Sequence, residues 1–174
     1  MSKKIIQLSM ILLLFFILGT NTISSQESLE EILYRDFKDI QTFGYINVKV
    51  QGEQSFSNGL KSEELTDYAR LKYKNNFATI AFQEITAGES YLYQEEEEAK
   101  KVGSVWFRVW TVGEHFPIAY YIECRAGTYK NYEMWRDEVL GFCDEKEIKQ
   151  IVRHEITRMM ENLAITFFKV RGEI

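Results

Sequence analysis

Proline is almost missing from this 174-residue chain, with Pro117 the one instance, and cysteine occurs only at Cys124 and Cys143. With 45% hydrophobic and 14% aromatic residues beside that scarcity, a collagen-like, disordered or disulfide-packed mini-protein is excluded. Basic charge is also short. Lys and Arg number 21 against 26 Asp and Glu, a formal charge of −5 that becomes −7 once Lys3 and Lys4 leave with an N-terminal leader. An acidic chain of this kind is not expected to bind nucleic acid, which needs a basic surface. Glycine-rich phosphate loops are lacking, and so are Asn-x-Ser/Thr sequons.

What is present begins with an address. Met1-Ser2-Lys3-Lys4 is a short basic stretch, and Ile5 to Leu18 is apolar apart from Gln7 and Ser9. Polar residues follow, with small Ser24 and Ser25 where a signal peptidase cuts, so residues 1–25 read as a secretory signal peptide. An uncleaved anchor is the alternative, although the apolar run falls short of the ~20 residues a membrane span needs. Residues 26–174 then form one domain, secreted or periplasmic, with no membrane span after cleavage. About 149 residues can bury roughly two thirds of their unfolded surface without help from a metal.

Hydrophobic periodicity divides that domain. Leu29, Ile32, Leu33, Phe37 and Ile40 predict a helix over about 28–40, behind a capping box at Ser28. Phe43 to Val50 alternates as a strand with one wet face. Gln51 to Gly59 reads as a polar turn, and a helix begins after Ser62 and stops at Asn75-Asn76. Ala78–Ile85 is expected to be a strand, and Tyr91–Tyr93 part of another. Val102–Val112 and Phe116–Arg125 form an antiparallel hairpin about Gly113-Glu114-His115, with large apolar groups on both faces of its first strand. Thr128–Trp135 extends the sheet. Ile148, Val152, Ile156, Met159, Leu163, Phe167 and Val170 predict a long helix over about 144–169, capped by Asp144. The expected fold is an α+β two-layer sandwich: a mainly antiparallel sheet of four or five strands, the long C-terminal helix, and a second helix packed on it.

The layout of Asn58-Gly59-Leu60 leading into Ser62-Glu63-Glu64-Leu65, the hairpin Val105–Val112 with Ile118–Glu123, and the closing helix Ile148–Phe168 resembles small exported bacterial α+β proteins of unassigned function. It is also similar to the periplasmic domains of envelope-assembly lipoproteins. The chain differs from those in lacking a lipid-bearing cysteine after the leader. The resemblance implies a bacterial, binding-type domain and supplies no catalytic residue.

Residue patterns for catalysis are incomplete. His154-Glu155-Ile156-Thr157-Arg158 starts a zinc-protease motif and ends it on a guanidinium, which cannot ligate zinc. Gly88-Glu89-Ser90-Tyr91-Leu92 puts leucine where a nucleophile elbow needs its second glycine. His115, Cys124, Cys143 and His154 lack zinc-ligand spacing. Glu123, between Ile122 and Cys124, is the carboxylate closest to an apolar setting, and strand alternation turns it outward. Glu95 to Glu98 lacks the ligand alternation of a calcium loop. No metal or cofactor is therefore expected.

In an exported chain, Cys124 and Cys143 are expected to form a disulfide, with two buried free thiols as the alternative. The aromatic set Trp106, Trp110, Tyr120, Tyr121, Tyr129, Tyr132 and Trp135 either fills the sheet faces or offers a contact surface. Trp106, Trp110, Tyr120, Tyr121 and Trp135 are the binding candidates. The expected function is a non-catalytic binding or accessory protein of the bacterial envelope, with an envelope protein or peptide as partner. A small secreted hydrolase or a carrier of an apolar ligand is the alternative.

Overall fold

A computed structural model of the chain describes residues 34–85, 96–113, 115–129, 131 and 133–174. The leader, the opening of the helix expected over 28–40 and the strand expected at Tyr91–Tyr93 lie outside them. A 3-10 turn, Arg35–Asp39, precedes β1, Thr42–Gln51. Then come α1 (Glu53–Ser57), α2 (Ser62–Asn76), β2 (Ala81–Phe82) and α3 (Glu96–Lys101). β3 (Val102–Val112), β4 (Ile118–Thr128), β5 (Trp135–Cys143) and α4 (Ile148–Arg171) complete the chain.

The strands form one open sheet in the order β2-β1-β3-β4-β5. β1 lies parallel to both β2 and β3, while β3-β4-β5 run antiparallel. The α+β class, the long C-terminal helix and the second helix beside it are as the periodicity predicts. The parallel half of the sheet follows from β1 and β3 being separated by α2, because a parallel neighbour needs a crossover rather than a tight turn.

Both long helices cover the same face. Ile148, Val152, Ile156, Met159, Leu163, Phe167 and Val170 are all buried, as their spacing of three and four requires. Phe167 meets the rings of Phe37, Phe43 and Phe77 at centroid separations of 5.6, 5.7 and 5.4 Å. Alternate strand residues complete this core: Ile46, Val48 and Val50 from β1, Val105, Phe107 and Val109 from β3, Ile118, Ile122 and Cys124 from β4.

The helix starts differ from expectation. Ser62 is the first residue of α2 and not its cap. Its hydroxyl accepts from the Val50 N–H at 3.0 Å, and Thr66 Oγ1 accepts from Val48 N–H at 2.9 Å. Two hydroxyls thus fasten α2 to β1 instead of capping the helix. The C-terminal helix begins at Ile148, four residues later than Asp144, with no side-chain cap.

Cys124 and Cys143 are free and buried. A disulfide between them is excluded by register. Cys143 stands opposite Ile118 on the neighbouring strand, while Cys124 lies six residues further along β4. At about 3.4 Å per residue that is ~20 Å, against the ~7 Å Cα separation a disulfide allows.

Candidate functional site

Among the described residues no helix covers the second face of the sheet, and its side chains fall into cross-strand rows. Asn47, Trp106, Arg125 and Arg136 make one row. Lys49, Arg108, Glu123 and Glu138 make the next. Gln51, Trp110, Tyr121 and Leu140 follow, and then Val112, Ala119 and Phe142. Two rows hold all the charged residues and two hold none, so the face is banded.

Glu123 organises the charged band. It is only 1% exposed although it sits on the open face, because three arginines roof it. Arg125 Nη2 and Arg136 Nε each lie 2.8 Å from Glu123 Oε1, and Arg108 Nη1 is 3.6 Å from Oε2. Arg136 also donates to Glu138 at 2.6 Å, and Arg125 to Glu133 at 2.9 Å. The Tyr121 hydroxyl donates to Glu138 at 2.7 Å. That bond, and then Arg136, hold the Glu138 carboxyl below its usual range, while burial first, and then Glu138, push the Tyr121 phenol up.

The apolar band is open to solvent. Trp110 is 50% exposed, Leu140 71% and Phe142 70%, and Val112 is equally accessible. Ala119, the small residue of its row, leaves a hollow of about 440 Å³ between Trp110 and Val112 on one side and Leu140 on the other. Gln51, Tyr121 and Arg108 also border it. The Trp110 indole lies across Gly52, where a Cβ would stand 2.9 Å from Nε1, so glycine at that position (φ 85°) gives the ring its seat. The rim is pinned by α1. Ser55 Oγ accepts from Thr111 N–H at 2.8 Å and Gln54 Oε1 accepts from Gly113 N–H at 2.9 Å.

Of the aromatic candidates, Trp106, Trp110 and Tyr121 share this face, and Trp106 packs at a tilt of 35° against Tyr45 at a centroid distance of 4.4 Å. Tyr120 borders the hollow, but its ring packs on the helix-covered core over Gly141, where any side chain would collide with it. Trp135 is buried at 6% exposure, because β5 begins there and its odd-numbered residues turn toward α4. Neither Tyr120 nor Trp135 offers its ring to the open face. Leu140, Phe142 and Arg108 belong to the site and were missed from sequence. The one available signal was the run Val139-Leu140-Gly141-Phe142, which reads as a strand edge only once β5 is recognised.

The arrangement can bind and orient a ligand. Among the described residues no three His, Cys, Asp or Glu side chains are placed to hold a metal. His115 and His154 are both exposed, and His115 Nδ1 lies 3.8 Å from Glu145 Oε2. Burial raises the thiols of Cys124 and Cys143, which keeps them protonated and weakly nucleophilic. No protein-family model, curated protein or solved structure matches the chain.

Proposed function

We propose that this chain is an exported, non-catalytic binding or accessory protein of the bacterial cell envelope, which holds a protein or peptide partner against the open face of its sheet. The observation that carries this reading is the banded face itself. Trp106, Trp110, Val112, Leu140 and Phe142 are exposed there beside fixed arginines, the mixture of aromatic and guanidinium groups that dominates protein contacts. Exposed apolar surface on one side of a sheet costs solubility and marks an interaction site. The leader read in residues 1–25 supports export, and no described helix is long and apolar enough to cross a membrane. Carriage of an apolar ligand between helices and sheet has less support, since Phe43, Tyr73, Phe77 and Phe167 pack ring against ring in that space.

Site-specific photo-cross-linking in the native host tests this. A photoreactive residue at Leu140 or Phe142 is expected to capture a defined envelope protein, and one at exposed Leu71 on α2 is not. The captured protein, once purified, should bind the mature chain and fail to bind a Leu140→Asp variant. Equal capture from both faces, or binding indifferent to Leu140→Asp, overturns the reading. Recovery of the full-length chain in the cytoplasmic fraction overturns export.

A further inference from the structure

The hollow over Ala119 joins two chemistries that are separate elsewhere on the face. Its walls, Trp110, Val112 and Leu140, are apolar, and Arg108 stands at its border with the charged band. Arg108 is the loosest of the three arginines around Glu123. Arg125 and Arg136 each have a carboxylate oxygen within 2.9 Å, whereas Arg108 reaches only Glu123 Oε2 at 3.6 Å, with its side chain 47% exposed. Beside it in register is exposed Lys49, which forms no ion pair with any described residue. In a chain with formal charge −5, this part of the face carries two cations, of which only Arg108 has a described carboxylate oxygen near it, at 3.6 Å.

Resting on the open-face reading above, we infer that the hollow takes the free C-terminus of a peptide whose last side chain is apolar, with the carboxylate on Arg108 and Lys49 and the side chain over Ala119 between Trp110 and Leu140. Charge complementarity selects the anion. A guanidinium with unused donors pairs with a carboxylate through two parallel hydrogen bonds, and Lys49 adds a second positive charge. The size selects the rest. About 440 Å³ lies in the range of ligand clefts, roughly 300–1,000 Å³. A chain terminus brings carboxylate and apolar side chain together in a single residue, so both fit one hollow. Internal acidic segments place the two groups on different residues, about 7 Å apart along an extended chain, and leave the hollow at both ends.

The test uses the mature chain and the peptide acetyl-Ala-Ala-Gly-Phe, with a free carboxylate and as its C-terminal amide, followed by NMR of the backbone amides and the Trp indole N–H signals. The free acid is expected to shift the Trp110 indole and the Ala119 and Leu140 amides saturably at up to millimolar peptide. The amide should bind at least tenfold more weakly. Arg108→Gln should abolish the difference between acid and amide, Arg108→Lys should restore part of it, and Lys49→Gln should reduce it less. Leu140→Ala should weaken acid and amide together. Thermal melting of each variant confirms that it folds. Equal binding of acid and amide, or shifts centred away from Trp110, overturns the proposal. So does saturable binding of decanoate at Arg108 where the peptide gives none, which makes the ligand a fatty acid. Absence of peptide binding while Leu140 still cross-links a partner overturns this inference alone. Loss of the cross-link as well removes the open-face reading beneath it.

Discussion

Trp106 and Phe107 are neighbours on β3, yet Trp106 is 41% exposed and Phe107 1%. Successive side chains of β4 and β5 likewise point to opposite faces, although in β4 the open-face Glu123 is itself buried, so one set of strands supplies two faces of different construction. On the covered face, aromatic and branched side chains from α2, α4 and the sheet interlock, and their burial provides the stability. On the open face Glu123, Arg125 and Arg136 satisfy one another and the apolar groups are left to solvent. A protein that needed the second face only for stability would have buried Leu140 and Phe142. Stability thus resides on the covered side of the sheet, and the recognition proposed above would use the opposite side.

Substitutions can break or sharpen that division. Phe167→Ala, at the centre of the covered face, should cost about 3–5 kcal/mol in urea unfolding, because it removes a ring packed on three others. Glu123→Ala should cost about 3 kcal/mol, since it strands arginines around an empty buried position, and Glu123→Gln should cost less by keeping hydrogen-bond acceptance. A Glu123→Ala loss close to zero would make the charged band a solvated surface and not a fixed one. Trp110→Ala separates the faces most directly. Were Trp110 a core residue, the change should cost a few kcal/mol. Half exposed, it should cost about 1 kcal/mol by calorimetry and still lose the partner. Leu140→Asp should change stability by no more than about 0.5 kcal/mol while removing cross-linking.

A change of pH tests the covered face separately. Burial raises both thiols in the fold, so their contribution to stability is complete below the unfolded thiol value of about 8.5 and declines as pH rises through it. Chemical denaturation at pH 7 and pH 9.5 should show that decline, and a thiol reagent should label Cys124 only after unfolding. Rapid labelling of native Cys124 would mean that the covered face is looser than its packing implies.

Several of these elements were legible before any coordinates. The seven apolar positions of α4 and the alternation of β1 each specify which side must be buried, whereas β3, with large apolar groups on both faces, does not. β5 was not, and the reason lies in its residues. Its covered positions are Trp135, Asp137, Val139, Gly141 and Cys143, while the solvent side holds Leu140 and Phe142, so polarity does not track burial. Asp137 is accommodated facing the helix because Arg158 Nη1 and Asn162 Nδ2 reach it at 2.9 and 3.1 Å. The expected strand at Ala78–Ile85 shrinks to Ala81–Phe82, since only Thr42 and Phe43 of β1 pair with it. The polar segment after Gln51 folds as a short helix, which its composition did not reveal, because Ser55, Gln54 and Asn58 bond to the distant end of β3.

Local sequence determined the class of the fold, the burial of α4 and the outward turn of Glu123, since helical and strand periods are properties of neighbouring residues. Which face stays uncovered, where three arginines meet Glu123, and the separation of Cys124 from Cys143 were decided by tertiary structure alone. Those outcomes depend on strand order and register, which bring together residues far apart in the chain through pairings no local pattern encodes.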